Sequence, residues 1–210
     1  PFTDWLRGVD ADAVLDVVVI GSGYGASVAA LRMRKMGRDV VVLERGSEYL
    51  PGEFPNDIGQ LPKYQRLQTA GRVLGRATGL FEWRAGPGVA TLTGNGLGGG
   101  SLINAGVAMR PVPEVFMQSH WPAGIRLGSA SEKVTGLDAA FRRAERMLRA
   151  QAPAALPAFP KTQALTRFAH ELAVNRRTRE DRPHIDPVAA TIDPKRCTNC
   201  GGCATGCNVI

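Results

Sequence analysis

The chain has 210 residues, of which 44% are hydrophobic and 21% charged, a globular composition that excludes a disordered chain and leaves room for one sizeable core or two small ones. Its formal net charge of +7 does not imply a nucleic-acid partner, because Arg142, Arg143, Arg146 and Arg149 fall on one amphipathic stretch while Arg176, Arg177, Arg179 and Arg182 are mixed with Glu180 and Asp181. No apolar run approaches the roughly 20 residues of a membrane span, and Asp4, Arg7, Asp10 and Asp12 are not a signal-peptide core, so a cytoplasmic protein without an integral membrane segment is expected.

Residues 1–14 read as a lead-in, with Trp5 and Leu6 offering an apolar contact and Val14 approaching the first strand. Leu15 and the β-branched run Val17 to Ile20 predict a parallel strand buried on both faces. Gly21, Gly23, Gly25 and Ala26 come next. Ala26, Ala29, Ala30 and Met33 then recur at helical spacing, small enough to bring a helix close to a sheet. Gly37 closes that helix, Val40 to Leu43 give a second buried strand, and Glu44 stands at its carboxyl end. This order is that of a dinucleotide-binding βαβ unit: glycines let backbone amides at a helix N-terminus approach a pyrophosphate, and an acid after the second strand suits a ribose. The pattern alone does not separate NAD from FAD. The competing reading is a Gly-rich turn in an ordinary α/β domain.

Ser47 to Gly79 contains Pro51, Pro55 and Pro62 and no sustained period, which predicts an irregular excursion over the nucleotide or substrate site. Leu80 to Trp83 and Val89 to Leu92 are strand candidates either side of a Gly86, Pro87, Gly88 turn. Six glycines then fall within Gly94 to Gly106, where average usage of about 7% predicts about one. Such density implies backbone approaching something closely. Ser101 to Asn104 follow and offer amides and an amide side chain to a flat ligand; the alternative is a glycine-kinked strand or flexible linker.

Met109 to Ile125 reads as an irregular segment pinned by Phe116 and Trp121. His120 within it has no partner to orient it as a base and is read as structural. Leu137, Phe141, Ala144 and Leu148 predict an amphipathic helix, with Thr135 and Asp138 as a capping box. Leu165, Phe168, Ala169 and Leu172 predict another over Thr162 to Val174, after a linker marked by Pro153, Pro157 and Pro160. His170 is read as structural and His184, in a polar linker, as solvated.

All four cysteines fall in CTNCGGCATGC, at Cys197, Cys200, Cys203 and Cys207. This CxxCxxCxxxC spacing is that of bacterial ferredoxin ligands, and Lys195 and Arg196 would moderate the charge of an iron-sulfur cluster. Asn208 stands where a proline usually follows the fourth cysteine, so two readings stay open: a 4Fe-4S or 3Fe-4S cluster, or a metal-free structural loop. The spacing suits zinc poorly, and disulfides are unattractive without a secretory signal.

The pairing of GSGYGASVAALR with GLGGGSLINAGVAMRP resembles the glucose-methanol-choline (GMC) oxidoreductases, nearest their cholesterol-oxidase-like branch. The resemblance covers residues 16–46 and 94–125 best. It implies an α/β fold whose Rossmann-like, FAD-binding βαβ start leads into a partly irregular, mixed remainder. It also implies an incomplete domain, the N-terminal portion of a longer enzyme. The divisions expected are 1–125 for the FAD-binding part, 126–192 for a helical and linker part on the substrate side, and 193–210 for the ferredoxin-like turn. Gly21, Gly23, Tyr24 and Gly25 would serve the pyrophosphate turn and Glu44 the adenosine ribose. Gly99, Gly100, Asn104, Ala105, Gly106 and Val107 would line the flavin. The implied activity is hydride transfer from a CH-OH carbon, of a sterol or other bulky alcohol, to FAD. Electrons would then pass to oxygen or, through a cluster, to an electron-carrier protein. The proton-accepting histidine of that family lies near its C-terminus, so no catalytic residue is assigned and the chain alone is expected to be inactive. The alternative is an iron-sulfur electron-transfer module with an accessory nucleotide-binding βαβ unit.

Overall fold

The computed structural model describes Gly8 and residues 14–126, 135–152, 160–174 and 188–209. The chain forms two compact units, Pro1–Ala105 with Gly201–Ile210, and Gly106–Cys200. The readings of Trp5, Leu6, Pro153, Pro157, Arg176 to Arg182 and His184, and of the Thr135 cap, lie outside the described residues and side chains.

The first unit begins with the expected βαβ. Strand β1, Val17–Ile20, pairs in parallel with β2, Val40–Leu43, in the register Val17 to Val40 and Ile20 to Leu43. Between them runs α1, Tyr24–Lys35. Its C-terminus closes as the sequence implies: Gly37 has φ +80°, its N–H donates to Arg34 O at 3.0 Å, and Arg38 N–H donates to Met33 O at 3.2 Å. These are the paired bonds of a Schellman closure, which only a left-handed residue at that place permits. Burial differs from expectation. Val17 and Val19 are half-buried, but Val18 and Ile20 on the other face are 49% and 87% exposed. Two strands and one helix cover one side only, because a parallel sheet needs a layer on each face. On α1, Ala26 and Ala30 are half-buried as expected of the sheet-facing stripe, whereas Ala29 and Met33 are exposed.

A second sheet has the order β4-β3-β5-β6, with β3 Gln65–Thr69, β4 Arg72–Gly75, β5 Phe81–Gly86 and β6 Val89–Gly94. The β5–β6 hairpin is the one the Gly-Pro-Gly turn announces: Gly86 pairs with Val89, and Gly88 takes φ +75° after Pro87. The β3–β4 hairpin corrects the irregular excursion expected over Ser47 to Gly79. Its strands QRLQT and RVLG carry few β-branched residues, and tertiary pairing of β3 with β5 supplies what local propensity does not. The core of this unit is Phe54, Leu80 and Phe81, with Tyr49, Leu61, Tyr64, Leu102 and Ile103 packed against it.

In the second unit, Phe116 is buried against Trp121, ring centroids 5.3 Å apart, and Phe141, at 6.5 Å. Phe141 belongs to α2, Thr135–Leu148. Arg110 clamps that helix with bonds to both Glu145 oxygens at 2.6 and 2.7 Å and to Asp138 at 2.7 Å. Helix α3, Pro160–Val174, buries Ala169, while Leu165 and Phe168 of its expected apolar face are 57% and 58% exposed.

Candidate functional site

The first glycine segment is built on the end of β1. Gly21 N–H donates to Leu43 O at 2.7 Å, which holds the turn between the two strand ends, and Gly21 takes φ +88°. A Cβ added at Gly23 or Gly25 would meet nothing within 4 Å, so the backbone there borders open space. No side chain caps the N-terminus of α1 and its first turn holds no acid. Orphan amides and the positive end of the helix dipole are therefore left for an anion.

The second segment folds onto the first. A Cβ at Gly99, which has φ +61°, would stand 2.8 Å from Gly23 Cα. At Gly96 it would meet Ser47 O at 2.9 Å, and at Gly94 and Gly46 it would overlap the backbones of Gly99 and Gly96 respectively. The glycine density thus reflects close approach, but at these positions the approaching partner is the chain itself. Gly100 alone among the site glycines of this segment faces open space. Side chains add two ties: Asn104 Nδ2 donates to the Tyr24 hydroxyl at 2.7 Å, and Gly98 N–H donates to Ser22 Oγ at 2.9 Å. Ala105 takes φ 56°, a left-handed conformation that is strained for a residue with a Cβ.

Glu44 sits where its spacing places it, at the end of β2. Its Oε2 accepts from Ser22 N–H at 2.9 Å and Ser22 Oγ at 2.6 Å, and its Oε1 accepts from Gly46 N–H at 2.8 Å. Burial pushes the carboxyl up, but the hydrogen bonds from the Ser22 hydroxyl and the Gly46, Ser22 and Arg45 backbones outweigh it. The group titrates below its ordinary value and is an anion at neutral pH.

A second network stands behind Glu44. Glu82 on β5 is buried and faces three guanidiniums: it bonds Arg45, accepts from Arg84 at 3.1 Å and lies 3.5 Å from Arg66. Desolvation raises its pKa, but the Arg45 bond and the charges of Arg45 and Arg84 draw it below the ordinary carboxylate value. Arg45 Nε also donates to Asn95 Oδ1 at 3.2 Å, and the buried Asn95 donates to Gly79 O at 3.1 Å. The residue after the ribose-type acid is in this way anchored beside the second glycine segment.

Ser22, Arg45, Glu82 and Asn95 carry these ties, and none was singled out from the sequence. Their only local signal is adjacency to a glycine or to Glu44, except for Glu82, which stands as a lone acid inside an apolar strand. Gly106 and Val107 belong to the second unit. There Gly106 O accepts from Thr191 N–H at 2.7 Å, and Val107 forms a bridge with Ala190. His120 packs its ring 5.4 Å from that of Trp121.

Among the described residues no three His, Cys, Asp or Glu side chains are grouped to hold a metal, and no disulfide joins the cysteines. Within the first unit, the end of this segment is fastened by protein contacts. Asn208 Oδ1 accepts from Gly52 and Phe54 N–H, each at 3.0 Å, its Nδ2 donates to Phe54 O at 3.0 Å, and a Cβ at Gly206 would overlap the Phe54 ring. Asn208, the departure from the ferredoxin pattern, serves as a clamp. No step is routed through a cluster.

A family model described as GMC oxidoreductase matches residues 15–209. The chain belongs to the GMC oxidoreductase family. Its open amides at α1 and the acid after β2 fit the adenosine diphosphate half of FAD, the cofactor of the Rossmann-like N-terminal domain of that family. Among similar proteins, a cholesterol oxidase of Acinetobacter baumannii is 27% identical over 205 residues, 91% of this chain and 35% of its own length. A long-chain-alcohol oxidase of Arabidopsis thaliana is 33% identical over 61% of this chain and 16% of its own length. A cholesterol oxidase of Mycobacterium tuberculosis is 35% identical over 50% of this chain and 18% of its length. The chain therefore spans about a third or less of these GMC relatives. Among the described residues no helix is long and apolar enough to cross a membrane.

Proposed function

We propose that this chain is the FAD-holding part of an oxidoreductase that oxidises the CH-OH carbon of a bulky alcohol, a sterol or a long-chain alcohol. One observation carries the reading: two glycine segments, some 70 residues apart in sequence, meet backbone to backbone beside an uncapped helix N-terminus and a fixed carboxylate. In this proposal the amides of Gly23, Tyr24 and Gly25 take the pyrophosphate and Glu44 accepts a hydrogen bond from the adenosine ribose. Gly99, Gly100, Asn104 and Ala105 line the flavin. Bound FAD supplies the acceptor for the hydride that leaves the carbinol carbon. The hydroxyl proton goes to a general base, which we assign to a part of the whole protein outside these 210 residues. The substrate class rests on the relatives' names, cholesterol oxidase and long-chain-alcohol oxidase, and oxygen is proposed as the acceptor on the same ground.

The test uses the full-length protein. Its extracted cofactor should be FAD, and anaerobic mixing with cholesterol or a long-chain alcohol should bleach the flavin absorption, with hydrogen peroxide released when air is readmitted. Iron without flavin, or no flavin at all, overturns the reading. Bleaching without peroxide moves the acceptor from oxygen to an electron-carrier protein.

A further inference from the structure

Ser22 lies between Gly21 and Gly23 of the first segment and is 4% exposed. Its backbone is not in the left-handed region, so the turn itself asks for no particular side chain there. The hydroxyl nevertheless has both its donor and an acceptor lone pair engaged. Its single proton is directed by distance: Oγ stands 2.6 Å from Glu44 Oε2 but 3.4 Å from Gly96 O, so it donates to the carboxylate. The same oxygen accepts Gly98 N–H at 2.9 Å, and Ser22 N–H reaches Glu44 Oε2 at 2.9 Å. Glu44 Oε2 thus takes two donors from one residue, while Oε1 accepts Gly46 N–H at 2.8 Å.

Resting on the FAD reading, we propose that Ser22 is a positioning residue: it orients Glu44 so that Oε1 meets the adenosine ribose, and through Gly98 it ties that acid to the flavin-side segment. A carboxylate held this way accepts from a free ribose hydroxyl and repels a ribose phosphate. Replacing Ser22 by alanine leaves the Glu44 carboxylate with one donor fewer and Gly98 N–H without its acceptor. Hydrogen bonds to charged groups are the strong ones, so the loss falls on ligands that use Glu44.

The test compares full-length wild type and Ser22→Ala, stripped of cofactor and titrated with FAD and with FMN, which shares the flavin but lacks the adenosine. Ser22→Ala should weaken FAD binding about tenfold or more and FMN binding by less than about threefold. Equal losses for both flavins, or no loss for FAD, overturn the proposal. Hydrogen exchange of the peptide spanning Gly96 to Gly100 in the cofactor-free protein should quicken in the variant; unchanged exchange overturns the tie to Gly98. A wild type that takes up no FAD refutes the functional reading and the ribose part of this proposal with it, while the exchange measurement still decides the tie.

Discussion

At Gly23 and Gly25 an added Cβ would enter open space, whereas at Gly94, Gly96 and Gly99 it would press on the chain's own atoms. The two glycine-rich segments therefore omit side chains for different reasons. The first leaves room for something the protein does not supply, and the second lets two stretches of backbone touch. Composition alone treats them alike, since both are runs of glycine. The difference teaches that a glycine cluster beside a nucleotide motif can be a joint of the cradle as well as its lining. It also separates two measurable quantities, stability and ligand affinity.

The sharpest way to break this comparison is to add one methyl to each segment. Gly99→Ala combines φ +61° with a contact of 2.8 Å to Gly23 Cα, and should cost about 3 kcal/mol of stability by denaturant unfolding. Gly23→Ala, at φ −63° and in open space, should change stability by less than about 1 kcal/mol. If the proposed FAD site is right, its methyl stands on the pyrophosphate side and should weaken FAD binding about tenfold or more. Equal stability losses in the two variants would remove the distinction.

The frame behind the second segment gives the next largest effect. Glu82→Gln leaves Arg45, Arg66 and Arg84 facing a neutral amide, and should destabilise by about 2 kcal/mol. The pH dependence has a definite sign. The folded-state pKa of Glu82 is depressed below 4.5, so its contribution is complete above that value and is lost as pH falls through the folded pKa. As pH falls below about 4.5, wild type should lose stability more steeply than Glu82→Gln does. Parallel acid profiles would show that the arginines, not the carboxylate, set this network.

Asn208→Ala addresses a third site where glycine packs rather than binds. Gly206 lies against Phe54, and Asn208 supplies three hydrogen bonds to the 52–54 backbone. Their loss should cost about 1–2 kcal/mol, discounted because part of this backbone is open to water. Faster labelling of Cys207 by a thiol reagent would report the released turn, and unchanged stability with unchanged labelling would refute the clamp.

What could be read from sequence follows the range of the interactions involved. The valine runs of β1 and β2, the Gly37 closure and the place of Glu44 are set within a few residues, and the structure has them where the pattern puts them. Ser22 was missed because its hydroxyl meets residues 22 and 76 positions away, and the middle x of a GxG turn carries no periodic signal. The β3–β4 hairpin was missed because Arg66 and Gln68 make its strand look polar. The cysteine spacing suggested a cluster, whereas the clamp formed by Asn208 spans 154 positions, beyond any local pattern.

The smallest expected effect tests whether strain is stored where the second segment ends. Ala105 holds φ 56°, a conformation costing a residue with a Cβ about 1 kcal/mol. Glycine adopts it freely but gives the unfolded chain more entropy to lose, so the two terms partly cancel. Ala105→Gly should therefore raise stability by only about 0.5 kcal/mol. If the strain serves the ligand, holding the backbone after Asn104 in one conformation, the same variant should weaken FAD binding about two- to threefold while the protein becomes more stable. Stability gained without lost affinity would make Ala105 a tolerated imperfection. Lost stability would mean that the left-handed backbone at Ala105 is held by its methyl contacts, placing this residue with the packing positions of the second segment.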